Sequence, residues 1–175
     1  MKCLVFSDSH NYKEFMDRAM RLHPDAEVVF FLGDGISDYE DIWYKYTSVK
    51  HFAVRGNCDL RMIAMGEHIK KTDNITLSGK KIVFTHGDLY GAKYGTDGLI
   101  SLAREKDADI VLFGHTHMPY SKYIPAPDDI SDDEYPIPRP IYLFNPGSIG
   151  YCVSPSYGVL TLGEGEPLFS HGSFA

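Results

Sequence analysis

Lys2-Cys3-Leu4-Val5-Phe6-Ser7-Asp8-Ser9-His10 joins a short apolar run to a carboxylate and an imidazole two positions apart. The same construction returns further along the chain. Val28 to Leu32 precede Gly33-Asp34, and Phe52-Ala53-Val54 precede Gly56-Asn57-Cys58-Asp59. Ile82-Val83-Phe84 precede Thr85-His86-Gly87-Asp88, and Ile110 to Phe113 precede Gly114-His115-Thr116-His117. Runs this short, rich in β-branched and aromatic residues, read as buried strands. In an α/β sheet the loops at strand carboxyl ends converge on one crevice, where ligands bind. The sequence therefore predicts loops that deliver carboxylate, amide and imidazole groups to one rim.

Helices are expected between the early strands. Asn11 with Glu14, and Ser37 with Glu40, have capping-box spacing, and Thr96 stands ahead of a third helix. Phe15, Met16, Ala19, Met20 and Leu22 make one apolar face, the second helix passes through Trp43 and Tyr46, and Leu99, Ile100, Leu102 and Ala103 mark the third. A strand is expected near 50–54, and 67–85 reads as strand, turn and strand about Ser78-Gly79-Lys80. Further strands are expected near 120–124, 141–144, 157–162 and 167–170. Alternating strand and helix followed by mostly strand predicts an α/β protein of two packed sheets with helices on their outer faces. The chain shows no repeat or linker, so residues 1–175 are expected to form a single domain, long enough to bury a core without staples.

Composition narrows the function. A net charge of -7 argues against an extended nucleic-acid surface. Bound dications can still make one pocket locally positive, so a phosphate substrate stays open. Cys3, Cys58 and Cys152 are too few and too scattered for a disulfide framework or a thiolate zinc site. No run approaches the roughly 20 apolar residues of a membrane span, and the amino terminus lacks a signal-peptide pattern. A cytoplasmic protein without a membrane partner is expected.

Asp8 and His10, like His115 and His117, sit two apart, which on a strand-like backbone puts both side chains on one side. Gly33 is read as allowing a tight turn and a close backbone approach to an ion. Asp8, His10, Asp34, Asn57, His86, His115 and His117 together offer two carboxylates, four imidazoles and one amide. Such donors suit Mn²⁺, Fe, Ni²⁺ or Zn²⁺. They are too many for one ion with open positions, whereas two ions sharing a carboxylate, typically ~3.5–4 Å apart, fit. Two dications bring about +4, two aspartates reduce it to about +2, and a hydroxide leaves about +1 to attract a phosphoryl group.

Other residues read more plainly. His23, His51, His68 and His171 are expected to be ordinary polar residues, and Tyr12, Tyr90 and Tyr94 surface packing with a capacity to stack on a substrate. From Ile124 to Pro140 the chain carries five prolines and five acidic residues, read as a solvated excursion, with a lid or subunit contact as the sharper alternative. Neither G-x-G-x-x-G nor a P-loop lysine follows a strand, which excludes a nucleotide-binding Rossmann domain.

These motifs resemble the calcineurin-like metallophosphoesterase family, whose pattern runs D-x-H, GD, GN, a histidine-glycine element and G-H-x-H. Asn145-Pro146-Gly147-Ser148 resembles a further element of its small bacterial and archaeal phosphodiesterase branch. The resemblance implies a four-layer α-β-β-α sandwich and a dinuclear site, probed best with Mn²⁺. By motif, Asp8, His10, Asp34 and His117 would hold one ion; Asp34 as bridge, Asn57, His86 and His115 would hold the other. A hydroxide between the ions would attack phosphorus in line. The implied activity is phosphodiester hydrolysis of a small phosphoester, with a phosphomonoesterase and a non-catalytic protein-binding scaffold of the same fold as alternatives. Homo-oligomer formation is left open.

Cys58 stands where many members of the family have a leaving-group histidine. A thiol is a poor general acid, so three roles remain for Cys58: modest leaving-group help, pocket lining and buried packing. Asp59 and Asp88 are read either as orienters of histidine or as exposed turn carboxylates.

Overall fold

Alternation along each strand decides how the layers stack. The computed structural model describes residues 1–59, 69–127, 139–150 and 153–174. One mixed sheet holds β1 (Lys2–Phe6), β2 (Val28–Phe31), β3 (Lys50–Ala53), β9 (Ser156–Thr161) and β10 (Leu168–Ser173) in the order β10-β9-β1-β2-β3. The other holds β4 (Thr72–Leu77), β5 (Lys80–Thr85), β6 (Ile110–Leu112), β7 (Pro119–Ile124) and β8 (Ile141–Pro146) in the order β4-β5-β6-β8-β7. Cys3 and Val5 of β1, with Val28 and Phe30 of β2, pack against Ile82, Phe84, Ile110, Leu112 and Phe144 of the second sheet. Their neighbours Leu4, Phe6, Val29 and Phe31 point the other way, onto Met16, Ala19 and Met20 of α1 (Lys13–Leu22) and Ile36, Tyr39 and Ile42 of α2 (Ile36–Lys45). Val83, Val111 and Leu143 likewise meet Leu99, Leu102 and Ala103 of α3 (Asp97–Glu105). The order of layers is α-β-β-α, as expected. A Phe buried this way contributes about 1.5–3 kcal/mol, so Phe30→Asp between the sheets would unfold the sandwich.

The expected helix starts need correction. Tyr12, not Asn11, precedes α1, and no side chain caps it. Asn11 has φ +73°, and its N–H is taken by Asp38 Oδ2 at 2.7 Å. Gly35 precedes α2, so Ser37 lies inside that helix. Thr96 does precede α3, yet makes no side-chain cap. The turn Ser78-Gly79 links β4 to β5, both residues with positive φ (+46° and +75°), a pairing that matches strand twist in a two-residue hairpin.

β1, β2 and β3 run parallel, as do β5, β6 and β8. Their carboxyl ends therefore emerge together within each sheet. Among the described residues no helix is long and apolar enough to cross a membrane.

Candidate metal centre

The loops after β1 and β2 are stitched by Asp8 N–H to the Gly33 oxygen at 2.9 Å and His10 N–H to the Asp34 oxygen at 3.2 Å. Gly114 N–H reaches the His86 oxygen at 3.0 Å, joining the loops after β5 and β6. The backbone there is not strand-like, which corrects the sequence expectation. Asp8 (φ +56°), His10 (+45°), Asp34 (+59°), His115 (+68°) and His117 (+60°) all occupy the left-handed region. L-residues pay roughly 1–2 kcal/mol each for that conformation, so the surrounding contacts must hold it, a pattern typical of functional sites. Gly33 makes the tight turn expected of it and also serves a further end. Its φ is +97°, and a Cβ there would run into the Gly56 backbone, so it lets two loops touch.

Six of the seven predicted donors, all but Asn57, fall into compact groups. Asp8, His10 and His117 have ligand atoms within 4.8 Å of one another; so do Asp34, His86 and His115. His10, Asp34 and Cys58 form a third such group, which places Asp34 beside both sets. Imidazole nitrogens face each other in two pairs, His10 Nε2 and His117 Nε2 at 3.3 Å, and His86 Nε2 and His115 Nδ1 at 3.1 Å. Asp8 Oδ1 is buried without a proper hydrogen bond, with His117 Nε2 3.1 Å, His10 Nε2 3.9 Å and His86 Nε2 4.0 Å away. Asn57 Oδ1 is also buried and accepts no hydrogen bond from any described residue. Orphaned acceptors beside converging lone pairs are unfavourable alone and fit divalent cations well.

The residues that hold this geometry carried no strong signal in the sequence. Asp59, 7% exposed, accepts the backbone N–H groups of Asp34 (2.8 Å), Gly35 (2.8 Å), Ile36 (3.0 Å) and Gly56 (2.7 Å). It thus fixes the Asp34 loop and the start of α2, and orients no histidine. Asp88 pairs instead with Lys71 at 2.8 Å. Asp38 Oδ2 accepts from Ser9 Oγ at 2.6 Å and Asn11 N–H, securing the first loop. His86 Nδ1 lies 2.8 Å from the Leu32 carbonyl oxygen, which can only accept. Nδ1 therefore carries a proton, and Nε2 is the nitrogen turned to the cluster, where a cation would displace its proton and take the lone pair. Asn145 Nδ2 donates to the Gly114 oxygen (2.8 Å) and Thr116 Oγ1 (3.1 Å), and Ser148 Oγ to the Asp8 oxygen (2.8 Å). The Asn-Pro-Gly-Ser element and Asp59 are the parts of this frame that the sequence singled out, Asp59 for a different role.

The field of the cluster is negative. Burial opposes ionisation of Asp34, but its bond to His86, the charge of that imidazole and the Cys58 N–H outweigh it, and the carboxyl stays far below its ordinary range. Burial likewise opposes charge on His86, yet Asp34 and Asp8 raise its pKa. The adjacent Asp8 carboxylate raises His117, while burial, the His86 charge and the Lys93 charge lower His115. A field that retains protons on imidazole attracts cations as well.

Cys58 is exposed, which removes the buried-packing role. It lines a cleft of ≈ 210 Å³ with His10, Asn11, Asp34, Gly35 and Asp59. Desolvation, then the Asp34 bond and charge, push its thiol up to about 11.

The remaining histidines are structural. His23 meets the Tyr157 hydroxyl at 2.9 Å, His51 Nδ1 the Tyr39 hydroxyl at 2.7 Å, and His171 Nε2 the Asn145 carbonyl oxygen at 2.8 Å. Tyr90 OH bonds Thr72 Oγ1 at 3.1 Å, whereas Tyr94 is fully exposed. His68, Cys152 and the acidic residues Asp128 to Glu134 lie outside the described residues.

Comparison with known proteins finds similarity along most of the chain. The family model of the calcineurin-like phosphoesterase superfamily domain matches residues 1–165. The probable metallophosphoesterase YsnB of Bacillus subtilis is 30% identical over 166 residues, covering 93% of this chain and 85% of that protein. Phosphodiesterase YfcE of Escherichia coli is 25% identical over 181 residues, covering 91% and 87%. Wild-type Vps29 from Entamoeba histolytica, solved with Zn²⁺, superposes with a TM-score of 0.66 over the whole of both chains (100% each) at 21% identity, a likeness of fold.

Proposed function

Because the chain belongs to the calcineurin-like phosphoesterase superfamily, we propose that it is a metal-dependent phosphodiesterase with a dinuclear centre. The observation that carries this reading is the position of Asp34, whose carboxylate groups with His10 on one side and with His86 and His115 on the other. Asp8, His10, Asp34 and His117 hold one cation in this reading; Asp34, Asn57, His86 and His115 hold the second. Bound divalent cations, Mn²⁺ foremost and Fe, Ni²⁺ or Zn²⁺ suited by the same donors, supply Lewis-acid charge and an activated water for in-line attack on phosphorus.

The chain's own residues do the rest. Asp59 and Asp38 hold the loops, Leu32 O fixes the His86 tautomer, and Asn145 sets the loop of His115 and His117. With a thiol pKa of about 11, Cys58 stays protonated at neutral pH and is too weak an acid to help an alkoxide leave. Diesters with acidic leaving groups are therefore favoured over alkyl diesters.

The likeness to Vps29 favours one second reading, a protein-binding scaffold. Elemental analysis of purified protein, with a screen of phosphodiesters and phosphomonoesters in Mn²⁺, separates the two. About two ions per chain and turnover of diesters are expected, with Asp34→Asn abolishing turnover and lowering occupancy of both ions. Absence of stoichiometric metal together with inertness in Mn²⁺ would replace the enzyme by the scaffold.

A further inference from the structure

Two loops that carry metal-centre histidines continue into the walls of one apolar cavity of ≈ 390 Å³. Ala92 and Thr96 form one wall; Phe113, Met118, Pro119 and Tyr120 form the other. The first wall folds back onto the His86 loop, where Ala92 N–H meets the Gly87 oxygen at 3.2 Å. The second begins at Thr116, a lining residue that stands between His115 and His117 and is held by Asn145. The cavity is thus one residue removed from the cluster along the chain. Its lining is mostly apolar, and Met118 stands 69% exposed at its edge.

Lys93, on the loop of the first wall, is exposed and makes no hydrogen bond or ion pair with any described residue. A metal cluster beside an apolar cavity suits a ligand that is anionic at one end and apolar at the other. A planar ring fits such a slot at little conformational cost, and Phe113 and Tyr120 offer aromatic surface against it.

We propose that this cavity receives an aromatic ring borne by the departing group of a phosphodiester, so that Met118, Tyr120 and the 92–96 loop determine specificity. This rests on the phosphodiesterase reading and deepens it.

The test is binding of phenylphosphonate and methylphosphonate to the full-length, Zn²⁺-loaded chain, followed by methyl NMR at Ala92, Thr96, Thr116 and Met118. Phenylphosphonate is expected to bind about tenfold more tightly, from the ring surface removed from water, and to shift those methyl signals. Met118→Asn should bring the ratio of affinities close to one, while Leu168→Asn, a distant exposed position, leaves it unchanged. Once phenylphosphonate has bound there, thymidine 5′-phosphate tells the source of the ring: movement of the same methyls assigns a nucleobase, and no movement assigns an aryl ester. Equal affinity of the two phosphonates, or a preference that leaves these methyls unmoved, overturns the proposal. If neither phosphonate binds, the phosphodiesterase reading falls with it. Ring-selective binding without turnover of any diester removes hydrolysis alone.

Discussion

Replacing Asp59 by Asn changes one oxygen to an NH₂ group and little else in shape, which makes the frame of the site measurable. The carboxylate accepts four backbone N–H groups, two on each oxygen: Gly35 and Ile36 on Oδ1, Asp34 and Gly56 on Oδ2. An amide has one acceptor oxygen, so two N–H groups would face donors instead. Hydrogen bonds to a charged group contribute about 1.5–3 kcal/mol each, giving a loss of roughly 3–6 kcal/mol before relaxation. The carboxylate also sits at the amino terminus of α2, where negative charge is favoured by about 0.3–1 kcal/mol. Local adjustment recovers part of this, and a net loss of about 3–5 kcal/mol is expected. In a chain of this size that corresponds to roughly 6–20 °C in Tm. Urea unfolding of EDTA-treated protein, followed by far-UV circular dichroism, reads the loss, and Zn²⁺ competition titration reads the effect on Asp34. A loss below about 1 kcal/mol with unaltered Zn²⁺ affinity would refute the argument that Asp59 fixes the Asp34 loop.

Asn145→Ala removes bonds to the Gly114 oxygen, Thr116 Oγ1 and the Gly147 N–H (2.9 Å). It should cost about 2 kcal/mol for the buried N–H left unpaired and weaken Zn²⁺ binding; unchanged Zn²⁺ affinity counts against its bracing role. Burial holds His51 below its ordinary pKa, against the opposing bond to the Tyr46 carbonyl oxygen. The native state then binds fewer protons than the unfolded chain, so this contribution is complete above about pH 6.5 and is lost as the pH falls through the folded value. EDTA-treated wild type should therefore lose urea stability on acidification more steeply than His51→Gln, and parallel slopes would exclude this. With its thiol at about 11, Cys58 in EDTA-treated protein should alkylate with iodoacetamide more than tenfold more slowly than a free cysteine at neutral pH. Equal rates would show the Asp34 contact to be absent.

Much of this was written locally. The strands that lead into donor loops announced themselves by short apolar runs, because a strand covered on both faces needs few polar positions, whereas β4, β7 and β10 carry polar residues at exposed positions. Each donor loop announced itself by following such a run. Parallel strands then bring their carboxyl ends together, so the candidate donors could be collected before any contact was known. The apolar stripes of the three helices were equally legible, since periodicity survives in one dimension.

The caps and the loop backbone were not. Asn11 and Ser37 have cap chemistry, but Asp38 accepts the N–H of Asn11 itself, and Asp59 accepts those of Gly35 and Ile36 at the start of α2, from 27, 24 and 23 positions away. Cys58 held three readings until its exposure removed one. By itself, then, the sequence determined the layers and the chemical identity of the donors, because both follow from residue type and period. Tertiary structure alone decided the left-handed loop conformations, the tautomer of His86 and the bracing by Asp59, Asp38, Asn145 and Ser148. Those depend on hydrogen bonds between segments far apart in the chain, and the energy of such a bond exists only once folding has brought its two ends together.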